Sequence, residues 1–208
     1  VAVVRDISQR RRSESLLEAI VEGTSRNTGD EFFRSLVRLL SLSLGIRYAF
    51  VGELTGPGKD RVRTLAVWSG AEFGSNFEYA LAGTPCQNVV GRTMCMYPAQ
   101  VARQFPEDQL LADMGVESYA GIPLFSSSGE PLGLLTVMDV RPMEAQTTIE
   151  AVLQIFASRA GAELERKQAE DTLRESHRLF RALIEQSADG IMLLAADGLI
   201  TYAGPSTT

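Results

Sequence analysis

Histidine is nearly missing from this sequence: His177 is the only one in 208 residues. Its neighbours are Ser176 and Arg178 in a charged stretch, so it reads as a solvated helix residue and not as one member of a catalytic pair or triad. Two cysteines, Cys86 and Cys95, are too few for a disulfide framework and fit a reducing compartment. No apolar run reaches the roughly 18 residues of a membrane span. The opening Val1–Val4, followed at once by Arg5 and Asp6, is too short for the core of a signal peptide. There is no phosphate-cradling glycine loop, no Gly-Gly-Asp-Glu-Phe run and no metal-ligand spacing. Positive charge is also scarce. With 20 Lys and Arg against 26 Asp and Glu, the net charge is -6, which argues against broad binding to nucleic acid or anionic membrane. These absences point to a soluble cytoplasmic segment with no membrane insertion and no output catalysis of its own.

What is present is ordinary for a globular chain, 45% hydrophobic and 22% charged. Residues 1–7 read as the end of a strand, and Arg10-Arg11-Arg12 lead into an amphipathic helix with Leu16, Leu17, Ile20 and Val21 on one face. Thr28 and Glu31 have capping-box spacing before a second helix, whose Phe33, Leu36, Val37, Leu40 and Leu44 recur at helical intervals up to Gly45. The pattern then turns to strands at Ile46–Leu54, Arg61–Trp68 and Phe77–Leu81, with Gly56–Asp60 as the first turn. Gly83-Thr84-Pro85-Cys86 enters a short helical piece closed by Gly91, Thr93–Tyr97 is a short strand, and Pro106-Glu107-Asp108 opens a compact helix that ends at Gly115. Val116–Phe125 and Leu132–Val140 flank a turn at Ser126–Glu130. From Thr147, again with capping-box spacing to Glu150, one helix runs to about Ile184, a length of roughly 57 Å. Its start is apolar and its middle, Glu163–Arg178, is charged, so it leaves the domain on which it begins. Tight turns between adjacent strands predict an α+β fold, an antiparallel sheet with helices on its faces and long linker helices at both ends.

The run Gly83-Thr84-Pro85, then Gly115–Leu124, then Gly129–Val137 resembles the GAF domain over residues 14–165. Val3–Ser8 is similar to the last strand and exit motif of a PAS domain, which assigns residues 1–13 to the end of such a domain and its linker. Residues 166–184 are then a linker helix. Residues 185–208, with Asp189-Gly190-Ile191 and Asp197–Tyr202, resemble the start of a second PAS domain that stops too early to bury a core. The resemblance implies a segment of a bacterial PAS–GAF–PAS sensor, whose parent is a sensor histidine kinase or a cyclic-dinucleotide enzyme. Linker residues Leu173, Ser176, Phe180 and Leu183 at a-and-d spacing, with Ile149, Leu153, Phe156 and Ala160 earlier, predict a parallel homodimer. Glu163 and Lys167 interrupt that seam.

The family's usual pocket would lie between the sheet and the segments Phe77–Gly91 and Thr93–Gly115. Trp68, Tyr79, Cys86, Tyr97 and Tyr119 are its candidate ligand-binding residues, since aromatic rings with polar tips suit a small planar ligand. Taken singly, each reads more readily as a core residue, the tyrosines with satisfied hydroxyls and Cys86 as a small buried hydrophobe. No cofactor is named by the residues. Gln87 follows Cys86 where the bilin-binding branch has histidine, the clustered cysteines of the sulfoxide-reducing branch are missing, and Arg92 and Arg103 are weak phosphate candidates for a cyclic nucleotide. Three readings stay open: a sensory module that binds a small ligand or relays a signal through its helices, a passive dimerisation spacer, and a cysteine-dependent small-molecule reductase.

Overall fold

A computed structural model describes residues 27–144, 146–185 and 192–203. The expected first strand and first helix therefore lie outside the described residues. The described part falls into two units that meet in sequence between Glu165 and Arg166.

The first unit opens with α1 (Asp30–Leu44), whose apolar positions at 32, 33, 36, 37 and 40 are all buried. Asp30 and Glu31 stand at its positive end, and Gly45 ends it in the left-handed region at φ 64°. The expected Thr28–Glu31 capping box does not form. Gly29 is the N-cap, at φ 62°, and its amide donates to the carboxylate of Glu163. A side chain 134 positions away thus satisfies an amide at the helix start, in place of any local side-chain cap.

Strands β1 (Tyr48–Thr55), β2 (Arg61–Ser69), β3 (Glu72–Phe73), β4 (Glu78–Ala80), β5 (Cys95–Tyr97), β6 (Ser118–Phe125) and β7 (Pro131–Asp139) form one antiparallel sheet. Its order is β3-β2-β1-β7-β6-β5, with β3 and β4 pairing opposite ends of β2. Between β5 and β6 lie two short helices, α2 (Val101–Gln104) and α3 (Gln109–Asp113). The sequence reading missed α2 and β3. Both are no longer than four residues, below the length at which periodicity carries a signal.

One face of the sheet buries Ala49, Val51, Ala66, Trp68, Ile122, Leu135 and Val137 against α1 and the start of α4 (Gln146–Glu185). Thr147 is the second residue of α4, inside the helix and not at an N-cap. The other face carries Tyr48, Phe50, Val62, Tyr119, Leu134 and Met138. Chain direction explains what covers it. After β4, on one edge of the sheet, the chain must reach β5 on the opposite edge, so residues 81–94 cross this second face, and α2 and α3 follow there. Helices are therefore split between faces: long ones on one side, short pieces and loop on the other.

Asp139 ties the end of β7 to the neighbouring elements. Burial raises its carboxyl, but the Arg141 side chain and the amides of Arg47 and Arg141 outweigh this and hold it below the usual carboxylate range. Arg141 also donates to the Gly45 carbonyl at the end of α1.

The second unit contains the charged length of α4 and a hairpin of β8 (Met192–Leu194) and β9 (Ile200–Ala203). Gly198 at φ 83° makes its turn. Met192, Leu194, Leu199 and Ile200 are all more than half exposed. A two-stranded hairpin that leaves these apolar side chains uncovered is marginal in water. We expect amides of residues 192–203 to exchange far faster than those of β6 and β7 in a hydrogen-exchange experiment. Equal protection would mean that something covers this hairpin.

Candidate functional site

The sheet face crossed by residues 81–94 does not pack solid. A cavity of about 310 Å³ remains between the sheet, the β4-to-β5 crossing and α3. Phe50 and Met138 reach it from β1 and β7, Tyr119 from β6, Tyr79 from β4, Cys86 from a 3-10 turn at Pro85–Asn88, and Asp108 from the start of α3.

Local chemistry sets these positions. Gly83 at φ 76° turns the chain after β4, and the Thr84 hydroxyl donates to the Leu81 carbonyl at 2.7 Å. Pro85 then begins the 3-10 turn, where its missing N–H costs nothing, and Cys86 follows fully inside. On β6, a Cβ at Gly121 would lie 2.3 Å from the Tyr119 hydroxyl oxygen. Glycine at that place lets the Tyr119 ring lie back along its own strand and reach Cys86.

At the floor, the hydroxyls of Tyr79 and Tyr119 both donate to Cys86 Sγ, at 3.1 and 3.3 Å. Thr136 Oγ1 stands 3.5 Å from the Tyr119 oxygen. Burial pushes the Cys86 thiol up to about 11, and the two phenol hydrogen bonds offset this only in part. Burial likewise raises both phenols well above their usual range, with the adjacent Cys86 adding to it. This floor is neutral at physiological pH. A protonated, enclosed thiol is a poor nucleophile and a poor metal ligand. Cys95 is only half-buried, with its Sγ 3.2 Å from the Asn88 carbonyl. Burial raises the Cys95 thiol as well, but Cys86 is raised to about 11 and lies fully inside, so we expect a haloacetamide to label Cys95 first and Cys86 clearly more slowly at neutral pH. Mass mapping of the labelled chain over time checks this, and equal rates would contradict the enclosed, neutral thiol.

Three of the sequence-derived candidates, Tyr79, Cys86 and Tyr119, meet at this cavity. Tyr97 is on the same face but behind it. Its hydroxyl accepts from Asn88 Nδ2 at 2.8 Å, and its ring packs edge-on against Phe105 at 5.1 Å. Trp68 is corrected: it is on the opposite face, packed edge-on with Phe73 in the core under α1. Its indole N–H is buried without a partner among the described residues. Arg92 and Arg103 do not line the cavity. Sequence reasoning missed Phe50, Phe77, Glu107, Asp108, Met114 and Met138. Only the acidic pair after Pro106 left a signal, and it read as helix-dipole chemistry. Among the described residues, no three potential metal ligands come together, and no helix is long and apolar enough to cross a membrane.

The chain is 26% identical over 215 aligned positions to a methyl sulfide methyltransferase-associated sensor from Methanosarcina acetivorans. That match takes in 95% of the chain but 21% of the relative, so the chain spans about a fifth of that protein's length. The fold is similar to the GAF domain of an Acinetobacter phosphoenolpyruvate-protein phosphotransferase, with TM-score 0.61, 13% identity and coverage of 77% of this chain and 97% of that one. It is also similar to the chromophore-binding domain of a bacteriophytochrome from R. palustris, with TM-score 0.55, 11% identity and coverage of 77% and 63%. Residues 15–164 match the family model of the GAF domain. With that match over most of the chain, and an antiparallel sheet that carries its cavity on the face away from the long helices, this protein belongs to the GAF domain family, a sensory module of signalling proteins.

Proposed function

We propose that this chain is the ligand-sensing segment of a longer cytoplasmic signalling protein, and that the cavity over Cys86, Tyr79 and Tyr119 is its input site. The observation that carries this reading is a cavity that opens to solvent past exposed Glu107 and runs inward to buried Cys86 and Tyr119. A concave space of about 310 Å³ walled largely by aromatic and sulfur-bearing side chains, with a few polar groups at its edge, has the character of a small-molecule site. The PAS-like flanks and a kinase or cyclic-dinucleotide output belong to the same proposal and rest on the resemblance of residues 1–13 and 185–208 alone.

For output, we propose a parallel homodimer along α4. Leu173, Phe180 and Leu183 share a-and-d spacing and are each more than half exposed on the single chain. In the first unit the same helix buries Ile149, Leu153, Phe156, Ala160 and Leu164 in the sheet core. A rearrangement of that core would thus act on the base of a continuous helix.

Native mass spectrometry of freshly purified protein tests both halves. A dimer carrying a small bound mass is the expected spectrum. A dimer without added mass, together with no binding in subsequent ligand screens, would favour a passive spacer. A monomer at tens of micromolar, unchanged by Phe180→Asp, would remove the proposed relay.

A further inference from the structure

We infer that the cavity takes a small organic cation, an amine or a quaternary ammonium, with its charge among the Phe50, Phe77 and Tyr79 rings and toward Asp108. This deepens the input-site reading above and rests on it.

The lining contains two carboxylates, Glu107 and Asp108, and no lysine, arginine or histidine. An anion entering here would meet like charge and no cationic partner. Three aromatic rings stand together in the wall. Phe50 and Tyr79 are nearly perpendicular at 6.3 Å, Phe50 and Phe77 are tilted at 6.3 Å, and Phe77 and Tyr79 are tilted at 5.8 Å. Grouped ring faces attract a cation through their quadrupoles, most strongly where water is excluded.

The carboxylates decide between a cation and a neutral planar molecule. Glu107 is exposed at the cavity mouth, and Asp108 is half-buried. Neither forms an ion pair among the described residues. Partial burial already raises the Asp108 carboxyl, against the pull of the Leu111 and Leu110 amides. A neutral ligand would strip more water from Asp108 and return nothing, whereas a cation would supply the missing counter-charge. The floor points the same way. The hydroxyls of Tyr79 and Tyr119 are both committed to Cys86, so the deep end offers no free hydroxyl, only the weak donor of the thiol, and suits the apolar body of the ligand.

Calorimetric titration of the whole chain with three probes of similar size tests this: choline, its neutral carbon isostere 3,3-dimethylbutan-1-ol, and the anion 3,3-dimethylbutanoate. We expect choline to bind at least about tenfold more tightly than the isostere, and the anion not to bind. Asp108→Asn should weaken choline and leave the isostere unchanged. Glu107→Gln provides a second variant at an exposed position if Asp108→Asn folds poorly. Phe77→Leu should weaken choline more than the isostere. Isostere or anion binding as tight as choline would overturn the cation and keep the cavity as an input site. No binding by any probe would overturn the cation class, and the bound mass in the native spectrum would then judge the input site separately.

Discussion

Replacing Gly133 with alanine will cost the fold about 3 kcal/mol, the upper range for forcing extra volume into a packed interior. A Cβ at this position of β7 would lie 2.1 Å from the backbone oxygen of Gly52 on β1 and 3.0 Å from Leu164 of α4. The leucine tip can move. The Gly52 carbonyl cannot, because it belongs to the strand paired with β7, next to the irregularity between Val51 and Gly52 in the β1–β2 ladder. Relief would require two central strands to part. Urea denaturation should show a lower midpoint with an unchanged slope. Gly58→Ala is the control, since a Cβ there meets nothing within 4 Å, and it should change stability by less than about 0.5 kcal/mol. An unchanged midpoint for Gly133→Ala would disprove the close approach of these strands.

Truncating Phe156 to alanine should cost about 3–5 kcal/mol. Its ring is 2% exposed, on the face of α4 that packs on the sheet beside Leu153, Ala160 and Leu164. Nearby, Gly161 admits the backbone of Phe125, for a Cβ there would fall 2.5 Å from that carbonyl oxygen, so the helix cannot slide to fill the hole. Ile155, one residue earlier and 43% exposed, should lose less than about 1 kcal/mol on the same change. The comparison matters for function, because it asks whether the base of α4 is part of the sensory core. Similar, small losses for both variants would detach the helix from the core and leave the cavity no mechanical route to it.

Much of this architecture was legible in sequence wherever the signal was local. Helical spacing from Phe33 to Leu40 and the glycine at 45 set α1 and its end, because amphipathic periodicity and a left-handed cap act within a few residues. Turn chemistry at Gly56–Asp60 and Ser126–Glu130 marked both hairpins, so the strands they join were found to within two residues at either end. Charge along residues 163–178, with Leu173 the main apolar exception after Leu164, predicts a last helix that outruns its domain, since a mostly polar length of helix has little to bury.

Tertiary structure decided the rest, and the physical reason is that the central strands are buried on both faces. From Tyr48 to Leu54, Ala66 to Trp68, Ser118 to Leu124 and Leu132 to Asp139 every residue is buried, so alternation carries no label for which side a residue takes. Trp68 and Tyr119 therefore looked like equal pocket candidates, and only sheet register put them on opposite faces. The caps followed the same rule. Thr28 and Glu31 had the right spacing, yet Glu163 reached the helix end first, through a contact that no local reading contains. The cavity itself comes from a topological requirement, a chain that leaves β4 at one edge and must return at β5 on the other. That crossing brings Cys86, and the connection from β5 to β6 brings Asp108, to one space with Phe50, and residues this far apart in sequence become neighbours only when the sheet closes.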